Sequence, residues 1–421
     1  MRKATLLFLV LVLARPSPGR GDDSSTERAR RVHARALVLD THDDTTQRMV
    51  FQNFDLGARD PRGHVDIPRM REGGLDAVFF SIWVPSKVTG PEAVRRALLQ
   101  IDAVHEQVRW HPADLRLATT ARGVKDAVSE GKIAVLMGME GGHMIDDDLG
   151  LLRTYAALGV RYLTLTHFLN NNWADSSTDK PAHDGLTAFG KDVVRELNRL
   201  GVLVDISHVA DKTFYDALAT TKAPVIASHS SCRALCDHPR NMNDEMLKAL
   251  AKNGGVVQIN FEITYLSQEA RDAKKARGTS VELEDAEVLK MCGEDEACQI
   301  LEGDRRDRQA MEAGTLPRVS YEKIVEHIDH AVRVAGIDHV GLGSDFDGAS
   351  MPFGMEDCSK LPRLTEALLA RGYSEADVEK VLGGNLLRVL EQAQAVAEPS
   401  GRESASSARD RPAGGASPPP P

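Results

Sequence analysis

Continuous apolar runs alternate along this chain with stretches in which apolar residues return every three or four positions. The runs fall at 36–41, 77–83, 133–139, 160–166, 202–207, 224–228, 255–260 and 338–344. Most lack a strict inside–outside alternation, which is how parallel strands read when helices cover both faces of their sheet. Helical spacing occupies 91–110, 149–158, 186–200, 212–220, 243–252 and 321–335. A short run at 115–119 precedes a further helical stretch at 121–130, and Asn243-Asp244 is an N-cap signal. Eight strands with intervening helices predict an α/β fold, a (β/α)8 TIM-like barrel. A doubly wound open sheet is the alternative. No Gly-x-Gly-x-x-Gly follows the first strand, which weakens a dinucleotide-binding version of it.

Two internal or terminal segments break the rhythm. Residues 262–317 are long, charged and helical in pattern, and predict a helical insert between strands 7 and 8. A long structureless loop within a barrel would be unusual. An insert at that point has its base on the catalytic face, where it would act as a lid or an interface. Residues 396–421, rich in Ser, Gly and Pro, predict a disordered tail, and they lack the apolar end of a GPI signal. The catalytic barrel is expected over 30–395. At the N-terminus, Met1-Arg2-Lys3 leads into an apolar stretch at 4–14 and then polar residues to 23. That is the pattern of a secretory signal peptide over 1–23, and it predicts a periplasmic or secreted protein.

Composition narrows the function classes. The formal charge of −10, with 42% apolar and 27% charged residues, describes a globular chain and argues against a nucleic-acid partner. Five cysteines, none at zinc-finger spacing, are compatible with export. Cys292 and Cys298 flank a short acidic segment and are placed to close a small loop. Cys232 and Cys236 read as buried small side chains or a local pair.

The chemistry lies at the ends of the runs. His42, Asp44, Glu140, His167, His208, His229 and Asp345 each follow one. Side chains at the C-terminal ends of parallel barrel strands converge on one mouth. A lone histidine there is more often structural. Several of them gathered with carboxylates form a donor set for metal and for hydrolysis. In His42-x-Asp44 the two side chains of an extended segment point to the same side. Glycines around Glu140, in Gly138-Met139-Glu140-Gly141-Gly142-His143, permit close approach of the backbone.

The stretches LDTHDD, GMEGGHMIDDDLGLLRTYAALGVRYLTLTHFLNNNWAD, VDISHVADKTFYDAL, APVIASHSSCRALCDHPRNM, HVGLGSDFDG and GGNLLRVL together resemble the renal or membrane dipeptidase family. The resemblance runs over about 38–390 outside the insert. It implies a dinuclear zinc exopeptidase that hydrolyses dipeptides, with a small peptide as its partner and a homodimer left open. By the same resemblance His42 and Asp44 hold the first Zn2+, His208 and His229 the second, and Glu140 bridges both. His167 contacts substrate and stabilises the tetrahedral intermediate, Arg240 in HPRNM holds the substrate carboxylate, and Asp345 in GSDFDG is the acid/base. Asp43 departs from the His-Asn-Asp of the renal members and adds negative charge beside the site. His143 reads as a loop-orienting residue, Asp347 as a brace for its turn, and Asp205 as a partner to a ligating histidine. A related amidohydrolase acting on N-acyl amino acids or lactam-like amides is the alternative function. A non-catalytic binding barrel is the third, and the retention of every ligand and of Asp345 speaks against it.

Overall fold

The computed structural model of the chain describes residues 25–278 and 286–397. The apolar leader and all of the Pro/Ser/Gly-rich tail beyond 397 lie outside the described residues. Among the described residues nine strands occupy β1 (Leu39–Asp43), β2 (Ala77–Trp83), β3 (Leu115–Leu117), β4 (Ile133–Glu140), β5 (Val160–Thr164), β6 (Leu203–Asp205), β7 (Ile226–Ala227), β8 (Val256–Ile259) and β9 (Val340–Leu342). Eight of them pair in parallel in the order β1-β2-β4-β5-β6-β7-β8-β9, and β3 adds to the side of β4. The ring closes just above β9. The Asp345 amide donates to the His42 carbonyl at 3.0 Å, and the Asp44 amide donates to the Phe346 carbonyl at 2.8 Å. This is the (β/α)8 barrel that the apolar runs predict.

The strands are buried on both faces, and their alternate residues go to different places. Leu39, Ala77, Phe79, Ala134, Leu136, Tyr162, Leu203, Ile226 and Val256 pack together with Leu386 and Leu390 of the last helix, Asn385–Val396. These residues fill the barrel and close its floor. Val78, Phe80, Ile82, Val135, Met137, Met139, Leu163, Val204 and Val257 pack outward against the helical layer. Continuing the inward set along β4 leads to Gly138 and then Glu140, so the period-two pleat itself delivers that carboxylate to the mouth.

Helices Gly90–Trp110, Ala121–Ser129, Leu149–Leu158, Ala188–Leu200, Asp211–Thr220, Asp244–Asn253 and Glu322–Ala335 stand within two residues of their expected bounds. Their ends are set by local chemistry. Asn243 accepts from the Met246 amide at 2.9 Å, and Gly201 and Gly254 end their helices in the left-handed conformation. The insert is helical, with Ile263–Leu266, Gln268–Ala276, Ala286–Cys292 and Glu296–Glu312. Despite its charge, its two ends are built into the main core through Ile263, Leu266, Ala270, Met311 and Leu316. Cys292 and Cys298 form a disulfide, while Cys232, Cys236 and Cys358 are free and buried. Among the described residues no helix is long and apolar enough to cross a membrane.

Candidate active site

All seven residues that follow the apolar runs meet at the C-terminal rim of the barrel. Glu140 is the centre. Its Oε1 lies 2.8 Å from His208 Nε2 and 3.1 Å from His229 Nε2. Its Oε2 faces the other way, 3.4 Å from His42 Nε2, which is in turn 3.5 Å from Asp44 Oδ1 and 4.0 Å from Asp345 Oδ1. Two donor sets therefore share one carboxylate, one on each oxygen. His167 Nε2 sits 4.0 Å from Oε1, on the side of the second set. All of these side chains are buried or nearly so.

The backbone that presents them is locally unusual. His208 and Asp345 both have positive φ, 66° and 67°, a region that residues with a Cβ seldom adopt. The turn after β9 supports Asp345: Asp347 receives hydrogen bonds from Thr45 Oγ1 at 2.7 Å and the His64 amide at 2.6 Å, and pairs with Arg48. Asp347 thus braces the turn, as its motif suggests. Gly138 is required by a neighbour, since a Cβ there would lie 1.8 Å from Tyr162 Cζ.

A layer of polar side chains below the rim orients the histidines. His42 Nδ1 is 2.8 Å from the Tyr162 hydroxyl. His229 Nδ1 is 2.8 Å from Ser228 Oγ, which donates to Asp205 Oδ2 at 2.6 Å. Asp205 therefore supports a candidate ligand, but through the serine rather than directly. With Ser228 Oγ donating to Asp205, His229 carries its proton on Nδ1 and turns a bare Nε2 to Glu140. Asn260 Nδ2 donates to Asp345 Oδ2 at 2.8 Å, and Ser86 Oγ lies 3.1 Å from His167 Nδ1. Sequence reasoning missed Tyr162, Ser228, Asn260 and Ser86. For the first three the only signal was their place in the inward-facing half of a strand pattern.

The charge balance of the site calls for a cation. His42 Nε2 and Asp44 Oδ1 are buried without any hydrogen-bond partner. Burial works against a charge on His42, yet Tyr162, Glu140 and Asp44 together draw its pKa well above the ordinary value. Burial, followed by the positive fields of Arg240 and His42, holds His208 and His229 well below theirs, so both are neutral bases. Burial pushes Asp345 up to about 7, with the Asp44 charge adding to it, and burial pushes His167 down to about 4. Neutral imidazoles, close carboxylates and unpartnered acceptors form a nitrogen and oxygen donor set suited to zinc. His42, Glu140 and His229, or Glu140, His167 and His208, or His42, Asp44 and Asp345, each offer atoms within 4.8 Å of one another.

Above the rim lies a cavity of about 500 Å³, roofed by insert residues that include Val288, Leu289, Gln299 and Ile300. Arg240 lines it. One of its nitrogens, Nη2, donates to the His229 carbonyl at 3.2 Å, while Nε and Nη1 are buried without partners. A guanidinium held in this way is ready for a carboxylate. His143 lies in the loop beside the site, where burial lowers its pKa to about 4.

Comparison with known proteins agrees with this geometry. A family model described as membrane dipeptidase, peptidase family M19, matches residues 26–404. Dipeptidase 3 of Mus musculus is 35% identical over 374 residues, which are 86% of this chain and 66% of that protein. The chain thus spans just under two thirds of that relative's length. Among solved structures, the probable dipeptidase PvdM of Pseudomonas aeruginosa superposes with a TM-score of 0.75 at 29% identity, covering 90% of this chain and all of that one. A metallopeptidase of Rhodobacter sphaeroides, bound to a phosphinate mimic of the dipeptide L-Ala-D-Ala, does so with a TM-score of 0.69 at 27% identity, over 85% of this chain and 99% of that one.

Proposed function

The chain belongs to the membrane dipeptidase family, peptidase family M19, and from that premise we propose that it is a zinc-dependent dipeptidase acting on substrates with a free C-terminal carboxylate. The observation that carries the reading is the division of Glu140, one oxygen toward His42 and Asp44 and the other toward His208 and His229, beneath a cavity that contains a half-unpartnered arginine. His42, Asp44 and Glu140 would hold one ion, and Glu140, His208 and His229 a second. Zinc held by these residues would supply a water with a pKa lowered toward about 7 and a Lewis acid for the scissile carbonyl.

The protein's own groups do the rest. Asp345, beside the first donor set and steadied by Asn260, takes the proton of the attacking water and returns it to the leaving amine. Positioned acid/base groups of this kind contribute about 10²–10⁴ in rate. His167 is neutral, so its Nε2–H can donate to the developing oxyanion, while Ser86 accommodates Nδ1. Arg240 turns its two free donors to the substrate carboxylate, which orients the scissile bond over Glu140. The dipeptide mimic held by the Rhodobacter relative ends in D-Ala, and we extend acceptance of a C-terminal D-residue to this chain. The leader supports a secreted or periplasmic setting.

The test is zinc content together with kinetics on L-L and L-D dipeptides, N-acyl amino acids and C-terminally amidated dipeptides. Two zinc ions per chain and preference for free-carboxylate dipeptides are expected. Faster turnover of N-acyl amino acids than of any dipeptide would overturn the substrate assignment.

A further inference from the structure

Glu262, Glu296, Asp304 and Asp307 of the insert line the active-site cavity, the hydrolytic chemistry uses none of them, and of the four Glu296 alone has a buried oxygen with no hydrogen-bond partner. Glu296 opens the helix Glu296–Glu312 and lines the main cavity. It is 7% exposed. Its Oε1 accepts from Arg96 Nη1 at 2.9 Å, while its Oε2 is buried with no hydrogen-bond partner. Arg96 is itself shared, donating through Nε to Glu92 Oε1 at 3.0 Å. Glu92 is held by Arg95 as well, through Nε and Nη2 at 2.9 Å each, so two guanidiniums face two carboxylates and Glu296 Oε2 is the acceptor that neither of them reaches.

An ionised carboxylate oxygen accepts hydrogen bonds and donates none, and burying it unmatched is costly. A cation or a strong donor arriving through the cavity would supply the missing partner. We propose that Glu296 is the receptor for the α-ammonium group of the substrate, the counterpart of Arg240 at its other end. This inference rests on the dipeptidase reading and goes beyond it by assigning recognition of the free amino terminus.

The topology places the two receptors on opposite walls. Arg240 lies in the loop after β7. Glu296 shares its wall with Trp83 and Pro85, at the end of β2, and the three also line a smaller neighbouring cavity. In the ring order β7 stands four strands from β2, half-way round an eight-strand barrel. Glu140, His167, His208 and His229 line the same cavity as both receptors. The position of Glu296 is fixed by short-range devices. Asp295 accepts from the Cys298 amide at 2.8 Å, and the Cys292–Cys298 disulfide brackets the residue. Burial also raises the Glu296 carboxyl pKa, against the pull of Arg96, which is the condition an approaching ammonium relieves.

The experiment compares wild type with E296Q, a substitution of equal shape, on alanyl-alanine and on N-propionyl-alanine, which keeps the carboxylate and lacks the amine. E296Q is expected to lower kcat/KM for the dipeptide about 10- to 100-fold, mostly through KM, the range set by loss of a charge-assisted hydrogen bond. N-propionyl-alanine should change by less than about twofold. E296D, which keeps the charge on a shorter stem, should recover part of the dipeptide loss. An equal loss on both compounds, or no loss on the dipeptide, overturns the assignment. A wild-type enzyme that cleaves N-propionyl-alanine in preference to alanyl-alanine overturns the dipeptidase reading itself, so the two failures are distinct.

Discussion

Replacing Tyr162 by Phe removes one oxygen atom, and the structure says what depends on it. The hydroxyl lies 2.8 Å from His42 Nδ1, and both side chains are wholly buried. The ring itself keeps its place, because Gly138 on one side and Phe79, 5.3 Å away between ring centres, fit Phe as well as Tyr. The loss therefore falls on His42. With an ion bound, Nε2 is committed to it and Nδ1 would face an apolar gap that water does not reach. A buried polar group left unmatched costs about 1–3 kcal/mol. Without the ion, His42 can tilt toward Asp44 or Glu140 and recover part of that cost. The difference appears as affinity, at about tenfold per 1.4 kcal/mol, so Y162F should bind zinc about 10- to 100-fold more weakly, the range found when the hydrogen-bond partner of a ligating histidine is removed. The assay is competition for zinc against a chromogenic chelator, with the melting temperature of the metal-free protein as the control for folding. A metal-free melting point close to wild type together with unchanged zinc affinity would refute the role given to Tyr162.

Other expectations follow from the same geometry. Glu140→Ala should lose both ions and activity together, because the shared anion between two donor sets is gone; two tightly bound ions found by elemental analysis would rule out the bridge. Asp345→Asn should keep its metal and lose about 10²–10⁴ in kcat, whereas near-normal turnover would remove Asp345 from proton transfer. Arg240→Ala should cost about one to two decades in kcat/KM on free dipeptides and little on C-terminally amidated ones, and an equal cost on both would make the arginine structural. Glu262 is buried, accepts from the Ser350 amide at 2.7 Å, and is pushed by burial up to about 7 from an ordinary 4.5. Its folded pKa is the higher one, so the folded state binds the extra proton, and stability should fall as pH rises from about 4.5 to 7. Glu262→Gln should flatten that slope in urea titrations across the window, and an unchanged slope would exclude Glu262 as its source.

Much of this architecture was legible because barrel strands advertise themselves. Their runs are continuous, their ends carry the polar residues, and capped helices fill the gaps. The first strand shows where that reading slips. The run at 36–41 suggested a strand ending at Thr41, whereas β1 is Leu39–Asp43. His42 and Asp43 are strand residues because β9 and its following turn bond to them, a contact about 300 positions away that no local pattern reveals. Tyr162 and Ser228 were hidden for a related reason. A tyrosine in an apolar run reads as core filling, and only the fold shows that its hydroxyl meets a histidine 120 positions earlier. Glu296 looked like one more charge in a charged insert, and the burial of a single oxygen sets it apart.

The seam that closes the barrel has a wider meaning. Every other neighbouring pair of strands is joined by ladder bonds, but β1 meets the end of β9 through the amides and carbonyls of His42, Asp44, Asp345 and Phe346. Three of these four residues carry the site's side chains. A joint of the barrel made by a bridge and turn bonds, and its reactive centre, are thus one stretch of backbone. Asp345 Oδ1 faces His42 Nε2 across that joint at 4.0 Å, and an ion held by His42, Asp44 and Glu140, two strands round the ring, would sit against it. Metal bound there would steady the joint as well as arm the site, and metal-free chains are expected to be the more open to proteolysis along this line.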